Sequence, residues 1–299
     1  MNFTTIMGGL ELGSIFAILS IGLYIAFRIL NLPDLTVDGS FVTGLAISSA
    51  FTLNNQPFLG LIFAILGGSL TGIITGLLHT KLNMHAILAG ILTMTGLYSI
   101  NLHIMLDKPS LYLGGYSNIF DILKNKIIIN GYDFGPLIEL LIINIIIIAL
   151  MVYFLKTQVG MSLRATGDNE AMVRSSSINT DFMKIMGFAL CNGIVALSGC
   201  IYAQYTQTAT VSVGTGMLVL GLANIIVGET LFKTRGILNH LISIFLGAII
   251  YRLVLTYAFQ LGLPTSDIKL FSALIVIVAI MIPTLKPAYI KWRKKNAAN

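Results

Sequence analysis

The run LLIINIIIIALMVYFL, residues 140–155, contains no charged side chain, no glycine and no proline, and stretches of similar character recur along most of the chain. About 20 mostly apolar residues in a helix cross the ~30 Å hydrocarbon layer of a bilayer. Stretches of that kind fall at 8–30, 37–53, 57–80, 84–106, 135–156, 182–206, 214–229, 236–259 and 268–285. The second and seventh are short and rich in Gly, Ser and Thr. Nothing in LIINIIIIALMVYF alternates with a period of two, so barrel strands are excluded. The expectation is an all-α polytopic membrane protein with about nine transmembrane helices. Composition agrees: 10% of the 299 residues are charged, against about 25% in soluble domains. The start, MNFTTIMGGLELGS, lacks a basic region and a cleavage site, so the first apolar stretch reads as a retained span.

Orientation follows from Lys and Arg, which concentrate on the cytoplasmic side. The tail KPAYIKWRKKNAAN carries Lys286, Lys291, Arg293, Lys294 and Lys295, with Trp292 as an interfacial anchor. Placing it in the cytoplasm and counting back through nine spans puts the N-terminus outside. Arg28, Lys81, Lys156, Arg164, Arg174, Lys184, Lys233 and Arg235 then join the tail inside, leaving Lys108, Lys124, Lys126, Arg252 and Lys269 outside, a 13:5 split. Topology in a lipid bilayer therefore accounts for the net charge of +6, and nucleic acid is not implied.

A faint repeat relates GLELGSIFAILSIGLY, from Gly9 to Tyr24, to GFALCNGIVALSGCIY, from Gly187 to Tyr202, and Gly44–Ala46 to Gly221–Ala223. The first span runs inward and the sixth outward, as an inverted repeat requires, and short Gly-interrupted helices at equivalent places mark transporters. The expected plan is one membrane domain, 1–299: a first half 1–134, a linker span and polar segment 135–181, a second half 182–285 and a basic tail 286–299.

Polar stretches locate the candidate sites. Segment 157–181 leaves the fifth span at Lys156, turns at Gly160 and presents RATGDNEAMVR. Asp168 is a good N-cap, with Asn169 and Glu170 in the first turn, so a helix over 168–177 is expected along the membrane surface. It is either an ordinary surface helix or a docking helix for a cytosolic partner. In NLPDLTVDGSF, Asp34, Thr36 or Asp38 caps the next helix or belongs to a gate, since acidic groups within spans are costly. Asn101, Asn192 and Gln204 either bond between helices or line a path. Glu11 and Glu139 lie near span ends. Loop 107–134, with Tyr112, Tyr116, Phe120, Tyr132 and Phe134, reads as an outer lid or a partner surface. Cys191 and Cys200 lie on opposite helix faces about 13 Å apart along the axis, so they stay unpaired thiols. His79, His85, His103 and His240 show no metal-ligand spacing, no nucleophile–base set forms, and no cofactor or enzymatic activity is called for.

The motifs GMSLRATGDNEA, SSSINTD, LSGCIYAQ and NLPDLTVDGSF, with the opening LELGSIFAILSIGLYI, resemble ABC permeases of the branched-chain amino acid and ribose importer family. Within it the chain is most similar to a subgroup linked to tryptophan or tyrosine uptake. The resemblance covers most of the chain and is most specific at 31–41 and 160–204; one departure is Ser177, where the family often has Gly. It implies a bacterial inner-membrane importer of two permease chains, a cytosolic ABC ATPase and an extracytoplasmic solute-binding protein; with no asymmetry visible in a single chain, a homodimer is the default expectation over pairing with a related chain. The ATPase-docking residues would be Gly160, Arg164, Ala165, Asp168, Asn169, Glu170, Ala171 and Arg174. The path or gate would draw on Asp34, Thr36, Asp38, Ser40, Asn101, Asn192 and Gln204. No G-x-x-x-x-G-K-[ST] loop is present to cradle phosphates, so the chain is not itself the motor. The expected substrate is an amino acid, with an aromatic one favoured. A sugar or nucleoside is the alternative, and an ion-coupled secondary transporter is the rival class.

Overall fold

A computed structural model describes residues 3–124, 126–129, 131–232, 234–260 and 262, with 270, 271, 273–275, 277 and 281. Helix α1 spans Phe3–Tyr24 and widens into a π-helical turn over Ile25–Ile29. There follow α2 (Thr36–Leu53), α3 (Pro57–Lys81), α4 (Ala86–Ile104), α5 (Gly135–Lys156), α6 (Gln158–Asp168), α7 (Glu170–Ser175), α8 (Thr180–Thr206), α9 (Met217–Leu231) and α10 (Ile237–Gln260). Prolines open α3 and α5, where a missing backbone donor costs nothing.

Among the described residues seven helices are long and apolar enough to cross a membrane. They are the expected spans except two. Helix α2 has the length, with 18 residues, but its Ser, Thr and Gly content makes it less apolar than the others. Of the expected span 268–285 only 270, 271, 273–275, 277 and 281 are described, and the basic tail lies outside the described residues. The count of nine is therefore not reached.

The chain is mostly but not wholly helical. Strand β1 (Ser110–Tyr112) pairs antiparallel with β4 (Thr208–Thr210), and β2 (Ile128–Ile129) with β3 (Tyr132–Asp133). These two ladders lie in the links between apolar helices, where an expectation based on span length has no signal.

Small residues decide how closely the helices approach. On α3, Gly60, Ala64, Gly68, Gly72 and Gly76 recur every four residues and are buried. Side chains there would run into Asn192 and Ala196 opposite Gly68, into the Phe188 carbonyl opposite Gly72 and into Ile185 opposite Gly76, all on α8. Small-residue stripes of this kind let backbones pack in lipid, where water drives nothing together. The opposite face of α3 exposes Phe58, Ile62, Leu66, Leu70 and Ile74. Helix α1 meets α10 in the same manner, through Gly9 and Gly13. Helix α2 packs on α3 and α8, and α9 packs on α10 and α1.

Candidate functional site

The polar residues read as a path separate into two groups, with Gln204 apart from both. Asp34, wholly buried, accepts from the Thr36 amide at 2.9 Å and from Asn192 Nδ2 at 2.6 Å. Thr36 Oγ1 lies 2.7 Å from Thr75 Oγ1, which donates to Thr93 Oγ1 at 3.0 Å, and Ser40 Oγ lies 2.7 Å from Thr71 Oγ1. Asp34, Thr36, Ser40 and Asn192 thus form a buried polar seam joining α2 to α3 and α8, with the Asp34 carboxyl held by two donors. Gln204 is engaged elsewhere: its Oε1 accepts from the Ile119 amide at 3.0 Å and its Nε2 donates to the Pro57 carbonyl at 3.3 Å. It fastens the 107–134 loop and the start of α3 to α8.

Asp38 and Asn101 belong to the second group. They line a cavity of about 370 Å³ with Gly39, Val42, Met94, Tyr98 and Thr215. Asn101 is fully buried; its Nδ2 donates to the Gly39 carbonyl at 3.2 Å while its Oδ1 has no partner. Asp38 does not cap its own helix. Its Oδ2 accepts from the Gly216 amide at 2.9 Å and its Oδ1 from the Leu218 amide at 2.8 Å, so it closes the N-terminus of α9. A carboxylate there satisfies orphan donors and faces the positive end of the helix.

Segment 157–181 holds two helices, α6 and α7, not one helix over 168–177. The cap of α7 is Asn169, whose Oδ1 accepts from the Met172 amide at 3.0 Å; Asp168 closes α6. Asn169 is extended, with φ −157°, which is where the two helices break. Gly160 sits in the first turn of α6, its amide 3.2 Å from Thr157 Oγ1, and a side chain there would strike the Phe154 carbonyl. Arg164, Asp168, Asn169, Ala171 and Arg174 are exposed, and Ala165 and Glu170 half-buried. Met161 and Met172 add exposed apolar surface.

This two-helix shelf is braced on both sides. Glu170 accepts from Lys184 Nζ at 2.7 Å and from Arg174 at 3.0 Å, and Arg174 also reaches Asp181 at 3.0 Å and Thr180 at 2.8 Å. The Lys184 ammonium holds the Glu170 carboxyl below its ordinary value. Buried Leu163 and Gly187 enclose Leu30, and Asn31 Nδ2 donates to the Gly167 carbonyl at 3.2 Å. Helix α7 is thereby pinned to α8, and α6 to the end of α1. Ser177, where Gly is frequent in the resembled family, takes a left-handed φ of 61°.

Sequence reading missed two clusters. Arg28 and Glu229 form an ion pair at a cavity of about 700 Å³ lined also by Tyr24, Thr230, Thr234 and His240. Arg252, counted above with the outer residues, sits within α10 beside Phe16 and Tyr202 in a cavity of about 470 Å³. An arginine inside the apolar run SIFLGAIIYRLVLTYAF was a signal in itself. Cys191 and Cys200 are free and buried.

Apolar helices of spanning length around buried polar seams and side cavities define a multi-pass membrane protein. The chain belongs to the family described as branched-chain amino acid transport system, permease component, which matches residues 5–282. It is 38% identical over 285 residues to the tyrosine transport system permease protein of Clostridioides difficile, covering 95% of this chain and 92% of that one. It is 30% identical over 275 residues to an uncharacterized protein of Rickettsia prowazekii, covering 91% and 95%. The ribose import permease protein of Haemophilus influenzae is 27% identical over 270 residues, covering 90% and 81%. No solved structure gives a significant match.

Proposed function

We propose that this chain is the membrane-spanning subunit of a bacterial ABC importer, moving an amino acid, with an aromatic one favoured, across the inner membrane on ATP hydrolysed by a separate subunit. The observation that carries this reading is the α6–α7 shelf, which offers exposed Arg164, Met161 and Met172 on one side and is tied to α1 and α8 on the other. Arg164, Asp168, Asn169 and Ala171 contact the ATPase, whereas Gly160, Glu170 and Arg174 hold the shelf in shape. Because α6 rests on the end of α1 and α7 on the foot of α8, closure of the ATPase shifts both helices together, as alternating access demands.

The amino-acid assignment leans on similarity to a tyrosine transport permease, and the ribose permease keeps a sugar as the second reading. An extracytoplasmic binding protein delivers the substrate to the side of the 107–134 loop, and the chain pairs with a second copy of itself. The N-terminus is outside and the C-terminal tail cytoplasmic. The two halves form an inverted repeat, supported by reciprocal packing: α3 on α8 answers α10 on α1, and α2 on α3 answers α9 on α10. Asp38 and Asn101, which share a cavity, are assigned to the path. Asp34, Thr36, Ser40, Asn192 and Gln204 act as the polar joints that hold it.

The test is to purify the chain with its genomic neighbours. An ATPase should copurify, and Arg164→Glu or Asp168→Lys should release it and abolish uptake while the permease remains folded. Uptake that persists with ATP depleted and an ion gradient present would refute the reading in favour of a secondary transporter.

A further inference from the structure

Arg252 lies eight residues before Gln260, the end of α10, which places it about 12 Å below that end, within membrane depth. Its Nε is buried without a hydrogen-bond partner, and among the described residues it forms no ion pair. The guanidinium instead stands 5.6 Å from the centroid of the Phe16 ring. Tyr202 completes an aromatic wall, its ring 5.8 Å from Phe16 and 5.7 Å from Phe41. These groups, with Ser212, Met217 and Leu220, line a cavity of about 470 Å³, inside the ~300–1,000 Å³ range of small-molecule sites. The first turn of α9 borders the same space, but Asp38 already holds its Gly216 and Leu218 amides. Among the described residues the guanidinium is therefore a positive charge at this cavity without a counter-ion.

A planar guanidinium fork matches a carboxylate in two parallel hydrogen bonds, and aromatic walls favour a ring or aliphatic body beside it. A neutral sugar supplies no anion for this fork. We propose that the cavity is a transit site in which Arg252 takes the α-carboxylate of an amino acid while Phe16 and Tyr202 flank its side chain. The inference rests on the amino-acid reading above and adds the site that would recognise that class. An intramembrane cation is stabilised whenever an anionic solute occupies the cavity beside it, and this gives the passing substrate a place to rest between release from outside and exit within.

The experiment uses the full importer (permease, ATPase and binding protein) in proteoliposomes, with radiolabelled L-tyrosine as probe. Arg252→Gln and Arg252→Met should each lower ATP-driven uptake at least tenfold. Arg252→Lys should recover a substantial part, with size-exclusion profile and ATPase copurification confirming assembly of every variant. Full uptake by Arg252→Gln, or equal uptake by Arg252→Met and Arg252→Lys, overturns the site, because packing and not charge would then be what matters. Should the Arg252 variants fail to assemble, Tyr202→Leu is expected to depress the maximal rate for L-tyrosine more than for L-leucine, and an equal effect on both overturns it. Wild-type uptake of ribose with none of L-tyrosine or L-leucine would instead sink the amino-acid reading itself, a result distinct from any of these.

Discussion

The carboxylate of Asp38, on α2, holds the backbone amide of Gly216 at 2.9 Å across 178 positions of sequence. Together with the bond to Leu218 at 2.8 Å, it makes the start of α9 depend on a residue of the other half of the chain. Gly216 suits the junction because its φ of 94° is left-handed, a region glycine occupies without penalty.

Removing that cap should loosen α9. Asp38→Ala is expected to cost about 1–2 kcal/mol, read as a lowered melting temperature in detergent. Asp38→Asn should fall between wild type and Asp38→Ala, since its one amide oxygen accepts from a single helix-start N–H while its NH2 faces the other donor. Equal melting of wild type and Asp38→Ala would show that the cap contributes nothing to stability.

Acid should release α7 from α8. The carboxyl of Glu170 is held below its ordinary value of 4.5, first by the hydrogen bond from Lys184. A lowered value in the folded state means that the bracing is fully present above pH 4.5 and is lost as pH falls through the folded-state value beneath it. A spin label at Met172→Cys should accordingly be immobile at neutral pH and become mobile only below 4.5. In a Glu170→Gln background the label should be looser than in wild type at neutral pH, held by the Arg174 contacts to Thr180 and Asp181 alone, and should not respond to Lys184. A label that loosens between pH 6 and 7 would point to some other group.

Ser177 carries a left-handed backbone that its side chain disfavours. Ser177→Gly is expected to stabilise the α7–α8 turn by about 0.5–1 kcal/mol, seen as slower proteolysis within 175–180. Faster cleavage would mean that the added freedom of the unfolded chain outweighs the relief of strain.

Span positions were legible because apolar length is a local property. The expected 135–156, 57–80 and 236–259 became Gly135–Lys156, Pro57–Lys81 and Ile237–Gln260. The docking segment was legible in place but not in form. Asp168 and Asn169 are both good caps, and only the extended Asn169 backbone shows which one breaks the helix. Least legible was which helix a polar side chain serves. In sequence Asp38 is one of three candidate caps for α2, or part of a gate, yet the donors it satisfies come from a segment that tertiary packing brings to it. Asn101 and Gln204 looked alike in sequence, and only packing separates the one with an orphaned oxygen beside a cavity from the one whose amide is bonded to Ile119 and Pro57.

The π turn at Ile25–Ile29 has a mechanical consequence. It winds more loosely than the helix before it, and α6 leans on it where Gly167 meets the Ile29 carbonyl. A thrust arriving through α6 would therefore meet the first crossing at a point already slack. Rewinding that one turn would let the foot of the rod follow α8 before its tightly packed upper length has to move against its neighbours.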